Sequence, residues 1–485
     1  MGRKATSCVV SLCTFVLVLG GVFTTSLADV DISVSRIGLN SSGSGDDFHY
    51  YGLVGDIRGF AIASTSCNVG TLQADWISGN SGNHPLIARN MYRLLNNRFE
   101  QIGMSWVKHS FCAVSEPTCG TCSPTGCGTL GIGCADTYWA TLNGDQGGLG
   151  PRTQINPQGF GSGATHTDPH PSPTGNVTIR GRLQIHDADI LAGGQNFAEI
   201  QYVTHDEPSG NRQNNASWRE VLLGQTSITG MVANEGQASV HFQEAAIFAW
   251  QREDPTVFIS QAIVPNGGHF FLGAKVTDLM NGTWQYEYAL YNMNSDRGAQ
   301  SFSVPIQLGV NVTNIGFHDV DYHSGDGVGG VTRSGVDWTA STGGGLLTWS
   351  TEPFAANENA NALMWGTLYN FRFVANAPPT PDANSGLVTI GLFKPGSGTT
   401  TVARTFLPTA AVVSQCDSAV FTPGDINNDT FVNGIDIDRF TEILVAGGGT
   451  TEENCAGDLE AVPDDMIDID DVPNFVSCVL AGGCP

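Results

Sequence analysis

Counting Asp425 as position 1, oxygen-bearing side chains fall at positions 1, 3, 5, 9 and 12 of the segment 425–436: Asp425, Asn427, Asp429, Asn433 and Asp436. The Phe431 carbonyl is available at position 7. A hard cation takes about six to eight oxygens, and a 12-residue loop folds them inward around one point, so the spacing is that of a calcium loop. The pattern restarts 33 residues later at Asp458 and, with a two-residue insertion, places Asp458, Glu460, Asp464, Asp468 and Asp471 at the same five positions and the Met466 carbonyl at position 7. Two Ca2+ sites are therefore expected, each with a helix behind it: Phe440, Ile443 and Leu444 after the first loop, Phe475, Val476 and Val479 after the second. Carboxylates this dense repel one another unless a cation lies among them.

Two loops of the type Gly-Asp-x-Asn-x-Asp, each followed by a short helix, make residues 424–481 resemble a type I dockerin. The resemblance implies a small α-helical module folded around two calcium ions that plugs into a cohesin-like or other surface protein. Two departures stand out. Position 6 is Thr430, where the family usually has glycine, and the second copy carries the insertion and has Glu460 at position 3.

Other residues offer less specific chemistry. Cys119, Cys122, Cys127 and Cys134 have a spacing that thiolate-bound zinc could use, but in an exported chain disulfides are the expectation. With Cys67 and Cys112 they can form three bridges in fifteen ways. Cys455, Cys478 and Cys484 flank the second loop, where a bridge would tie its ends, and Cys416 is left for a fourth pairing. His84, His109, His166, His170, His186 and His205, or the acidic loop framed by His318 and His323, supply imidazole and carboxylate without a paired metal spacing. The chain has no His-Glu-x-x-His, no Gly-x-Ser-x-Gly and no Gly-x4-Gly-Lys-Ser/Thr. A glycosidase needs only two carboxylates with no signature of their own, so it stays open as an alternative.

The elements that position these groups follow from composition and pattern. Arg3 and Lys4, an apolar run over 9–22 and Ser26-Leu27-Ala28 give the layout of a cleaved signal peptide, with the mature chain starting at Asp29 and secreted. Cleavage there disfavours a copper enzyme that uses an amino-terminal histidine. The apolar run falls short of the ~20 residues that span a bilayer. With 21 Lys and Arg against 46 Asp and Glu, the net charge of -25 repels nucleic acid and anionic membranes, leaving divalent cations as natural partners.

The 61 glycines and many Thr, Val, Asn and Ser residues fit strands joined by tight turns. The class expected is mainly β, with a cysteine-rich region at 29–173, a β-sandwich at 174–410 and the calcium module at 411–485. Residues 85–97 are the exception, with Leu86, Ile87, Met91, Leu94 and Leu95 at helical spacing after a proline. The Gly- and Pro-rich stretch 144–173 reads as a linker or a long ordered loop. Strands are expected over 177–185, 270–276, 284–291, 301–306, 346–349, 369–374 and 387–393. Trp284, Tyr286 and Tyr288 share one strand face, which reads as an aromatic core seam; a sugar-stacking platform, with polysaccharide as ligand, is the sharper alternative. The functional expectation is a secreted protein anchored through its tail, its body binding or structural.

Overall fold

The computed structural model describes residues 29–38, 46–77, 81–109, 112–160, 164–166, 170–230, 240–409, 421–459, 466–469 and 471–484. The signal segment 1–28, Cys416, Glu460 and Asp464 lie outside the described residues.

Four sheets stack to make the body. A three-stranded sheet (Ile32–Ile37, Ser64–Asn68, Ala135–Tyr138) covers one face of a large sheet. The large sheet runs Ser227–Gly230, Ala216–Gly224, Gln195–Val203, Leu86–Leu95, Arg98–Met104, Leu183–His186, Ile57–Ile62, Phe48–Val54. Two five-stranded antiparallel sheets follow, one centred on Trp284–Asn292 and the other on Ala299–Pro305. Each interface is apolar. Ile32, Val34, Trp76 and Leu130 pack on Ile87, Met91 and Ile200; Tyr92, Phe99 and Phe197 pack on Phe271, Ala289 and Tyr291; Phe270, Tyr286 and Tyr288 pack on Phe302, Trp349 and Ile390. The last of these is the expected β-sandwich, formed as inward residues of two sheets interdigitate.

The strand pairing crosses residues 173/174, where the sandwich was expected to begin: Leu183–His186 pairs with Ile57–Ile62, and Gln195–Val203 pairs with Leu86–Leu95. That pairing corrects the helix expected at 85–97, which is the strand Leu86–Leu95. A strand between two covering layers is apolar on both faces, so its period of two is lost. Here Ile87 and Met91 face one layer while Tyr92 faces the other. The polar residues in between are bonded, as where Asn90 donates to Glu199 at 2.8 Å.

The strand expected over 177–185 is realised only at its end, Leu183–His186. Upstream, Asn176 accepts the Thr178 and Arg180 amides and Gly181 takes φ +68°, which makes the segment a turn. The other six expected strands form. Among its described residues the stretch 144–173, expected as a linker or long loop, holds the paired strands Ile155–Phe160 and Ala164–His166, with Arg152 fully buried and donating to the carbonyls of Arg89, Ser105 and Gly366 and to Asn90.

Tyr286 and Tyr288 are buried in the seam, their hydroxyls donating to the Ala377 and Phe406 carbonyls at 2.9 and 2.8 Å. Trp338 is buried as well and donates to the Asn361 carbonyl. The row does not stand open as a sugar platform: Tyr286 stacks on Phe373, Tyr288 meets Phe302, and the partly buried Trp284 packs on the same core, as Trp338 does on Phe317. In the amino-terminal half the bridges are Cys67–Cys119, Cys112–Cys127 and Cys122–Cys134, so the thiols that zinc would have used are paired. Such a framework fits a chain folded in an oxidising, extracellular compartment. Among the described residues no helix is long and apolar enough to cross a membrane.

Candidate functional site

The tail folds as a matched pair of half-modules. Helices Asp436–Ala446 and Val472–Ala481 begin on Asp436 and one residue after Asp471, the two position-12 carboxylates, and both carboxylates are buried. Asp436 accepts the Asn427 and Asn433 amides at 3.2 and 2.8 Å. Asp471 accepts those of Leu459 and Asp468 at 2.6 and 2.9 Å. In both loops the carboxylate thus gathers the chain near positions 3 and 9 toward itself.

Asp425 is buried and accepts the Asp429 and Thr430 amides, while Asn427, Asp429 and Asn433 cap neighbouring amides of the same loop. The Phe431 carbonyl receives the Asn433 amide group at 3.3 Å. Asp425, Asn427, Asp429, Asn433, Asp436 and the Phe431 carbonyl are thus held within one loop. In the second loop Asp458, Met466, Asp468 and Asp471 are described, with Asp458 and Asp471 buried.

A small core fixes the pair. Phe440 and Phe475 stack plane on plane, 3.8 Å between centroids at 3°, over Ile426, Ile443, Ala456 and Ile467. The position-8 residues Val432 and Ile467 are both buried, as residues turned away from a cation should be. Between the loops lies the helix Thr451–Gly457, absent from the sequence reading although Thr450-x-x-Glu453 is a capping box in plain view. Cys478 bonds Cys484, which pins the last helix to the chain end rather than tying the ends of the second loop together. Cys455 is in a disulfide of its own. On the outside, Ile437, Leu444, Val476, Val479 and Leu480 line an apolar hollow of about 220 Å³ across the two helices.

In the body, the structure sorts the histidines. His84, His109 and His166 converge from the turn before Leu86–Leu95, the end of Val107–His109 and the end of Ala164–His166. One ring nitrogen of each lies within 4.8 Å of the other two, and all three residues are buried. Burial first, then the neighbouring imidazoles, pushes His166 down to about 3 and His109 further still. His170 stacks on His109 at 3.8 Å but turns its Nδ1 to the Pro171 carbonyl. No spacing in the sequence announces this cluster, because strand pairing alone brings the three together.

The remaining candidates act as ties. His318 and His323 meet the Gln101 and Met104 carbonyls at 3.2 and 2.9 Å, and burial pushes His323 down to about 3. Asp326 accepts the Arg152 amide, and burial raises it to about 6. His186 sits between Asp321 and Asp56 at 2.8 and 3.0 Å. His205 contacts Asp75 at 2.9 Å, with Asp206 accepting the Asp75 amide, a half-buried second cluster.

No protein-family model matches the chain, and no curated protein matches it. Among solved structures, it is similar to the N-terminal domain of the Streptococcus gordonii adhesin Sgo0707, at 9% identity over 79% of this chain and 96% of that one, with a TM-score of 0.17. It is similar at 10% identity to a partial N-terminal region of an enterococcal surface protein, over 79% of this chain and 96% of that one, with a TM-score of 0.15. Superposition at that level carries no argument about fold or role.

Proposed function

We propose that this is an exported binding or structural protein whose tail is ordered by two calcium ions and docks it onto a partner protein. The observation that carries the reading is the pairing of Asp436 and Asp471 as buried carboxylates at equivalent places in two acidic loops. Asp425, Asn427, Asp429, Asn433, Asp436 and the Phe431 carbonyl would hold the first ion. Asp458, Glu460, Asp464, Asp468, Asp471 and the Met466 carbonyl would hold the second. The ion's part is to neutralise the carboxylates and draw the loop closed, which sets the angle between the two helices.

The apolar hollow on those helices supports the docking half of the reading. Ile437, Val476 and Leu480, 46%, 49% and 82% exposed, lie together on it, and it is a contiguous apolar patch, not a single exposed side chain, that marks a docking surface. The resemblance of the tail to a dockerin makes a cohesin-like surface protein the partner class.

The hydrolase alternative gains nothing from the three hollows described in the body. The largest of those described, about 530 Å³, is lined by residues such as Ile306, Leu308, Val312 and Leu346. No Asp or Glu lines it, nor the hollows around Arg98 and Arg372 or around His269 and Asn294. Glycosyl transfer by paired carboxylates has no seat there.

Calorimetric titration of the full chain with calcium tests the reading, with circular dichroism before and after chelation. Two ions bound, one lost in Asp436→Ala and the other in Asp471→Ala, is the expected result. No uptake, or uptake indifferent to both substitutions, removes the module from the account.

A further inference from the structure

We propose that His84, His109 and His166 form a binding site for one divalent first-row transition ion of the zinc type, separate from the calcium loops. Four observations carry it. The first is convergence: tetrahedral nitrogens about 2.0–2.1 Å from zinc lie roughly 3.3 Å apart. Three ring nitrogens already within 4.8 Å of one another reach that arrangement by small ring rotations.

The second is ring attitude. The three rings meet pairwise at 4.2, 4.8 and 5.0 Å with interplanar angles of 48°, 68° and 88°, tilted or edge to face and none stacked on another of the three. His84 Nε2 and His109 Nδ1 share a hydrogen bond at 2.6 Å, a proton's place that an ion would take as the two nitrogens move apart.

The third is the state of His166. Its Nδ1 meets Thr165 Oγ1 at 3.1 Å, while its Nε2 is buried without a hydrogen-bond partner. One nitrogen held and the other open is how an imidazole is prepared for a metal. The held side is anchored in turn, because the Thr165 amide donates to the Gly82 carbonyl at 3.0 Å beside His84. Gly150 makes room for the group: a Cβ there would stand 2.4 Å from His109 Nε2.

The fourth is ligand type. Three imidazoles without a carboxylate in the set suit zinc, copper or nickel and offer nothing to calcium, which prefers oxygen. The ion would join three segments that are distant in sequence, and so staple the loops at this edge of the large sheet. Lys108, next to His109 in the chain, sets its ammonium 3.9 Å from Asp145.

The test uses the full mature chain, stripped of metal and returned to saturating calcium so that the acidic loops are filled. Zinc is titrated calorimetrically, and cobalt(II) is added as a spectroscopic probe. One zinc per chain and visible tetrahedral cobalt bands are expected, with affinity falling at least ~100-fold in His84→Gln and in His166→Gln. His205→Gln, in the other cluster, should bind as the parent does.

No zinc uptake under calcium, unchanged affinity in both variants, or loss through His205→Gln would each overturn the proposal. Zinc-edge absorption of the unsubstituted chain decides the matter even where a variant fails to fold. Three imidazoles around the ion support the site, and fewer refute it.

Discussion

Thr430 occupies position 6 of the first loop at φ +76°, a region that L side chains avoid and β-branched ones most of all. Its amide donates to Asp425 at 2.8 Å, so the loop cannot relax the angle without giving up a bond to its first carboxylate. Strain of this kind costs on the order of 1 kcal/mol or more. Thr430→Gly should therefore raise calcium affinity about fivefold, the equivalent of about 1 kcal/mol. An affinity unchanged in titration of the variant would mean that the turn is free of strain. This residue was legible in the sequence, since a non-glycine at that position stands out by spacing alone. The histidine trio was not, because nothing along the chain marks His84, His109 and His166 as neighbours.

Elements in this protein are tied by single polar contacts at their ends, and His186 is one such tie. It closes the strand Leu183–His186 and bridges Asp321 and Asp56, bonds that raise its pKa to about 9. An imidazole in the unfolded chain titrates near 6.5. The bridge therefore contributes in full below about pH 6.5 and is lost as pH rises through about 9. The melting-temperature gap between the parent and His186→Gln should be widest near pH 6 and close by about pH 9.5; a gap that stays constant would show that the charged ring contributes nothing. His186 is partly exposed, so added salt should narrow the gap too. Element type was read correctly at Trp284–Asn292, a strand that also serves two layers, because Gln285 and Glu287 between its aromatic residues keep the period of two visible in the sequence. It was misread at Leu86–Leu95, whose apolar residues serve two different layers.

At the scale of the whole molecule, the layers are joined by buried polar groups as well as by apolar packing. Glu199 lies on the large sheet and accepts from Asn90 and Tyr92 within it, from Tyr291 of the neighbouring sheet and from the Ala246 amide. Burial raises its pKa, and these donors oppose the rise. Glu199→Leu would leave the Tyr92 hydroxyl and the Ala246 amide without their acceptor and weaken the bonding of Asn90 and Tyr291, so unfolding by denaturant should show a loss of about 3 kcal/mol or more. A loss under about 1 kcal/mol would mean that the layers hold by apolar packing alone. By itself the sequence determined the mainly β class, the disulfide-bearing amino-terminal half and the paired acidic loops, and it marked Tyr286 and Tyr288 as a core seam. Those features rest on local spacing, which survives without a fold. Only the tertiary structure decided the rest: which cysteines pair, the large sheet that draws strands from both sides of residue 173, the burial of Trp338, and the meeting of three histidines. Each of these depends on contacts between segments far apart along the chain, where composition and periodicity carry no record of who meets whom.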